Sequence, residues 1–151
     1  MKVLEVGAGQ FPVHNAFHTD VTRRFSLDLA CDCQHLPFAE KTFDLVYASH
    51  VLEHVRQPLL ALQEFKRVGK AAYLRVPNGN NMAYKVDHTD GTKHLYSWNT
   101  TTFYNLLCTV FEVVDVGESL RLIGFEHWRR KFLVYATVAL SSKNELSAFC
   151  K

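Results

Sequence analysis

The chain has 151 residues, of which 48% are hydrophobic and 21% charged. This excludes a disordered segment and is enough for one domain with a real core. The net charge of +2, with eight histidines counted neutral, is too weak to argue for nucleic acid from bulk charge.

No apolar run approaches the roughly 20 residues of a membrane span, and no basic-then-apolar leader precedes the first strand. A cytoplasmic location and no membrane partner are expected. The four cysteines, Cys31, Cys33, Cys108 and Cys150, do not make a disulfide framework in such a setting. Cys31, Cys33 and His35 lack the spacing and the second pair of a zinc site, so no metal is expected.

In chain order, residues 2–6 form a short apolar strand that runs into Gly7-Ala8-Gly9. Glycine lacks Cβ, so the chain can turn tightly there and a ligand can approach the backbone. A loop of this kind after a first parallel strand is where doubly wound α/β folds bind nucleotide-like ligands. A second strand is expected at Ala16 to Val21, with Asp20 near its end, and a third at Phe25 to Cys31. Pro37 then breaks regularity. Thr42 to Ser49 is the best strand in the chain, apolar enough for burial on both faces. Phe38 and Phe43 suit the core better than a ligand surface.

Gln57 and Pro58 open a helix, with proline at a first-turn position. Leu59, Leu62 and Phe65 are expected to face the sheet, and Gly69 to end the helix. Ala71 to Val76 reads as a fifth strand. Residues 80–98 are polar and irregular with interspersed aromatics, and a connection this long in a compact domain is usually functional or mobile. Asn99 is placed to cap a helix through Cys108, built on Phe103, Leu106 and Leu107. Phe111 to Val116 and Phe132 to Leu140 read as the last strands. Apolar residues between them cover the sheet or form a dimer patch. The domain is taken as residues 1–140, with 141–151 a fraying tail. Strands alternating with helices imply a parallel sheet, and the two late, close strands suit an antiparallel pair.

The ordered series VLEVGAG, CDCQHLPF, TFDLVYASHVLEHV, LQEFKRV and YLRVPN resembles the class I S-adenosylmethionine-dependent methyltransferases. It is most similar to the small-molecule branch with the pattern GDAxxLPF…FDxVxxxxVLEH, over about Val3 to Asn78. The resemblance implies a Rossmann-like α/β fold, with a seven-stranded, mostly parallel sheet whose last strand is antiparallel. It implies S-adenosyl-L-methionine as cofactor and S-adenosyl-L-homocysteine as product. Glu5, Gly7, Ala8 and Gly9 match the loop that lies against the methionine and ribose portions. Asp20 matches the acid that accepts from the ribose diol. Asp32 matches the acid that accepts from the adenine amino group, with the Cys33 N–H toward a ring nitrogen. Ser49 and His50 fall near the transferable methyl. His50 is the expected catalytic base if the acceptor must lose a proton, with His88, His94 and Tyr96 behind it.

Alternatives stand beside these roles. Glu5 also suits a cap on the following turn. Asp28, nineteen residues after Gly9, competes with Asp20 for the ribose. His54, one turn after His50, reads as a packed histidine.

The chain departs from the family pattern in its first two crossovers, which are too short for helices. One sheet face is then open to a partner chain or a second copy. A vestigial or partner-dependent module is therefore an alternative to an active enzyme with a small-molecule acceptor. A methyltransferase on RNA or protein would use Arg121, Arg129, Arg130 and Lys131 as its footprint. A nicotinamide oxidoreductase fits least, because Pro12 stands where G-x-G-x-x-G needs its third glycine.

Overall fold

The computed structural model describes residues 1–10, 12–23, 27–80, 94–112, 114–118 and 145–151. Along the chain run β1 (Val3–Val6), β2 (Phe17–Asp20), β3 (Leu29–Ala30), β4 (Leu45–Ser49), α1 (Pro58–Val68), β5 (Ala72–Pro77), α2 (Thr100–Cys108), β6 (Val114–Glu118) and β7 (Glu145–Cys150). The strands make one seven-stranded sheet in the order β3-β2-β1-β4-β5-β7-β6. β1 to β5 are parallel, and β7 inserts antiparallel between β5 and β6. The Rossmann-like methyltransferase architecture expected from the motifs is the one observed.

β1 is buried along its whole length because it is central, with β2 on one side and β4 on the other. Apolar residues without alternation are what such a strand requires. α1 begins as expected, with Gln57 at the N-cap and Pro58 in the first turn. Its buried stripe is Pro58, Ala61, Leu62, Phe65 and Val68, so Leu59 does not face the sheet as expected but is 44% exposed. The 3.6-residue period runs from Pro58, one position earlier than the predicted stripe. Gly69 ends the helix with extended backbone. Glycine is needed there for space, since a Cβ would lie 2.6 Å from Val46 Cγ2. α2 carries the capping box in which Asn99 and Thr102 serve each other's backbone N–H. Phe103 and Leu107 are its buried anchors, with Leu106 only packed against the core.

The C-terminal segment corrects the sequence reading. Glu145–Cys150, expected to fray, is β7 and pairs on both edges. Its burial alternates, with Leu146, Ala148 and Cys150 in the core, which is the period-2 signature of a strand with one face covered. The segment Phe132 to Leu140 lies outside the described residues, as do the basic cluster at 129–131 and most of 80–98. The other boundaries differ by a few residues. β4 starts at Leu45, while Phe43 only bridges to Gly69, and β6 starts at Val114, while Phe111 is a buried residue behind α2. Among the described residues no helix lies between β1 and β2 or between β2 and β3, in line with the short crossovers.

Candidate functional site

The sheet changes direction of growth between β1 and β4: β2 and β3 extend one edge, β5 the other. Open α/β sheets bind ligands outside the carboxyl ends of the strands at such a switch point. The loop after β1 is folded back onto β2. Gly7 and Ala8 both donate to the Thr19 carbonyl, at 2.8 and 3.1 Å, and the Gly9 N–H donates to Asp20 Oδ2 at 3.1 Å. Asp20 also takes the Thr22 N–H on its other oxygen. Each oxygen keeps a further lone-pair site.

The two glycines have different jobs. Both have left-handed backbone, with φ +70° at Gly7 and +56° at Gly9. A Cβ on Gly7 would collide with Val51 Cγ2 at 2.3 Å, so Gly7 is tight packing against the loop after β4. Among the described residues, a Cβ on Gly9 would meet nothing nearer than the Gly7 carbonyl at 3.9 Å. The space in front of Gly9 is open, and it is there that a ligand can lie against bare backbone.

Glu5 is buried and its Oε2 accepts the Val13 N–H at 2.7 Å. Burial raises its pKa, and the Val13 N–H opposes the rise. Glu5 therefore ties down the turn that replaces a helix, which is the capping alternative. Asp28 is committed to β2, with Oδ2 2.7 Å from the His18 N–H and 3.2 Å from its Nδ1. That leaves Asp20 as the acid beside the glycine loop. Asp32, exposed after β3, accepts from the Gln34 N–H and side-chain amide. Cys33 beside it is buried, which pushes its thiol up to about 12. The loop carrying both is fastened to α1. Leu36 N–H donates to Glu64, while Arg67 donates to the Leu36 and Phe38 carbonyls and to Glu64.

β4 ends at Ser49, and His50 turns the chain with φ +56°. The His50 Nε2 is 3.3 Å from Glu145 Oε1, and its Nδ1 is 3.3 Å from Glu53 Oε1. Glu145, on β7, also pairs with Arg75 on β5. The hydrogen bond to Glu145, then the Glu53 carboxylate beside Nδ1, raise the His50 imidazole to about 9, against the effect of burial. The hydrogen bond from His50, followed by the Arg75 charge, pulls Glu145 down to about 2 despite its burial. With a carboxylate beside each ring nitrogen, the charged form of His50 is favoured. This argues against the expected base, because neither nitrogen is left to accept a proton. Of the weaker base candidates, Tyr96 donates its hydroxyl to the Arg56 carbonyl and His94 packs edge-on against His54. His88 lies outside the described residues.

The expected residues thus divide into three groups along neighbouring strand ends. Glu5, Gly7, Ala8, Gly9 and Asp20 form one hydrogen-bonded unit. Ser49 and His50 stand on the adjacent strand end, while Asp32 and Cys33 follow β3, beyond β2. Sequence reading missed Glu53, Arg75 and Glu145. Glu53 lies inside the quoted VLEH segment, where an acid in an apolar run was the available signal. Glu145 had none. An opening of about 550 Å³ lies at the opposite, amino ends of the strands, beside Met1, Asn15, Phe17 and Asp28, away from the glycine loop and Asp20.

A family profile described as "Methyltransferase domain" matches residues 4–72. Over these residues the sequence matches that family, and the fold is similar to that of class I S-adenosylmethionine-dependent methyltransferases. The structure is similar to an S-adenosylmethionine-dependent methyltransferase from Thermotoga maritima, described as a possible histamine N-methyltransferase. The two share 15% identity with a TM-score of 0.72, covering 99% of this chain and 81% of that one. A methyltransferase from Archaeoglobus fulgidus aligns with a TM-score of 0.68 at 15% identity, over 99% of this chain and 85% of that one. A third similar structure comes from a complex of a methyltransferase with its Trm112 activator from Haloferax volcanii, at 14% identity and a TM-score of 0.65, with 99% and 81% covered. No curated protein matches the sequence. S-adenosylmethionine is the cofactor of this methyltransferase family, and the open cradle at Gly9 with Asp20 behind it fits that group. Among the described residues no helix is long and apolar enough to cross a membrane.

Proposed function

We propose that this protein moves a methyl group from S-adenosylmethionine to a small-molecule acceptor. The observation that carries the proposal is the Gly9 cradle, braced by Asp20 and facing open space at the switch point between β1 and β4. The Thermotoga maritima relative, named for a small amine, supports an acceptor of that size.

The cofactor supplies a sulfonium-bound methyl that an acceptor heteroatom takes by in-line displacement. The chain's part is to bind, orient and exclude water. Asp20 accepts from the ribose hydroxyls and Asp32 from the adenine amino group, while Gly9 gives the close approach. Ala8, buried at the loop's apex, and Cys33, buried behind Asp32, back the two contacts. Ser49 and His50 border the methyl end. His50 acts by position and charge, holding Glu145 and the loop after β4. Proton loss from an acceptor therefore goes to solvent or to a group other than His50.

Calorimetric titration with S-adenosylmethionine and S-adenosylhomocysteine tests this reading. Micromolar binding of either is expected. Asp32→Ala should weaken it by about 1.5–3 kcal/mol, the usual value of a hydrogen bond to a charged group. Unchanged affinity would mean that the adenine lies elsewhere.

The short crossovers and the two-residue edge strand β3 favour a second reading, a module that needs a partner chain. Absence of binding at millimolar ligand would select it. The nucleic-acid reading rests on Arg121 and residues 129–131, outside the described residues, and nothing observed favours it.

A further inference from the structure

We propose that Glu53, His54 and His94 form a binding site for a divalent transition-metal ion, a property that does not depend on the cofactor reading. Glu53 is fully buried, and among the described residues neither carboxylate oxygen has a hydrogen-bond partner. The His50 Nδ1 approaches Oε1 to 3.3 Å, within ion-pair range but without hydrogen-bond geometry. A carboxylate taken out of water needs strong compensation, and one half-directed ion pair leaves much of it unmet.

Two imidazoles stand where that compensation is needed. His54 follows Glu53 directly. His94 comes from a segment brought back by the Leu95 N–H, which donates to the Glu53 backbone carbonyl at 2.7 Å. The two rings meet with centroids 4.8 Å apart. One ligand atom from each of the three residues lies within 4.8 Å of the other two. Around one ion with bonds of about 2.0–2.2 Å, ligand atoms stand roughly 3–4 Å apart. Small side-chain movements on binding close the remaining gap.

The donor set selects the ion. Two neutral imidazoles and one carboxylate suit Zn²⁺, Co²⁺, Fe²⁺ or Mn²⁺, whereas Ca²⁺ and Mg²⁺ favour oxygen donors. Three protein ligands leave at least one position for water or another small ligand. The ion would also neutralise Glu53 and pin residues 94–98 to the loop after β4.

The test titrates the chelator-stripped full chain with Zn²⁺ by calorimetry and with Co²⁺ by visible absorption. Expected are one equivalent bound at micromolar or tighter affinity, Co²⁺ d–d bands without thiolate charge transfer, and a higher unfolding temperature. His94→Ala and Glu53→Gln should each weaken binding at least tenfold. His94 is only partly buried, so that variant carries the test if Glu53→Gln does not fold. No binding at millimolar ion overturns the proposal. So does affinity unchanged in His94→Ala, or a thiolate band that places the ion on the cysteines. None of these results bears on S-adenosylmethionine binding, which is titrated separately without metal.

Discussion

The loop after β3 and the loop after β4 are both fastened by charged side chains, but in opposite ways. The first, Asp32 to Phe38, is held by Glu64 and Arg67, one turn apart on α1. These share several bonds to the Leu36 and Phe38 backbone, and their side chains are partly open to water. The second hangs on one carboxylate, Glu145, set between His50 and Arg75 on two other strand ends. The Glu145 and Arg75 side chains are 16% and 19% exposed. A local clamp with several bonds degrades gradually. A long-range one with a single carboxylate at its centre loses more at once, because its removal takes that partner from Arg75 and leaves His50 with Glu53 alone.

The contrast is broken most directly at Glu145. Glu145→Ala should lower the unfolding free energy by about 2 kcal/mol, between the values for exposed and for buried pairs. Urea unfolding measures this, and a loss below about 1 kcal/mol, typical of exposed pairs, would erase the distinction between the loops. The acid limb gives a second reading. Glu145 has its folded pKa depressed to about 2 from 4.5. Its stabilisation is therefore complete above the unfolded value and is lost as pH falls through the folded one. The wild type should lose at most about 3 kcal/mol between these limits from this group, and Glu145→Ala should lack that component.

The loop after β1 extends the comparison, since Gly7 is also held by a distant contact, Val51. Gly7→Ala adds a collision to a left-handed backbone and should cost about 2–3 kcal/mol. Gly9→Ala meets no collision and should cost only about 1–2 kcal/mol of left-handed strain. Its Cβ would enter the cradle, so cofactor affinity should fall at least tenfold while stability stays nearer wild type. Parallel unfolding and calorimetry on the two variants separate packing from binding. Equal loss of affinity per unit of lost stability would deny Gly9 its special place.

The same contrast explains what the sequence disclosed. The strands β1 to β5, α1 and the Asn99 cap follow from local patterns: apolar runs, a proline at a helix start, a capping residue. The glycine loop and Asp20 were legible because their spacing is fixed by one short turn. Glu145 was not, because its role arises only when β7 inserts between β5 and β6, and no local signal encodes insertion of a six-residue segment after a long intervening stretch. His50 follows β4 as expected, but the carboxylates beside it, Glu53 and Glu145, could not be read from the sequence, so neither could their effect on its pKa. Leu59 was misassigned for a smaller reason: its spacing to Leu62 and Phe65 ignored that Pro58 itself was buried.

The smallest effect belongs to the local clamp. Arg67→Ala removes the donors to the Leu36 and Phe38 carbonyls, but the Arg67 side chain is itself partly exposed, so the loss should be about 1 kcal/mol. Arg67→Lys should recover only part of it, because a single ammonium cannot reproduce the forked contact to two carbonyls and Glu64. The sharper readout is amide exchange. The Leu36 N–H is bonded to Glu64, not to Arg67, so in Arg67→Ala its exchange reports whether the carboxylate alone still holds the loop. Faster exchange at Leu36 together with a few-fold weaker cofactor binding would show the clamp ordering Asp32 for the adenine. Faster exchange with unchanged binding would show that the Asp32–Gln34 turn positions the acid by itself, and that the α1 clamp serves the fold alone.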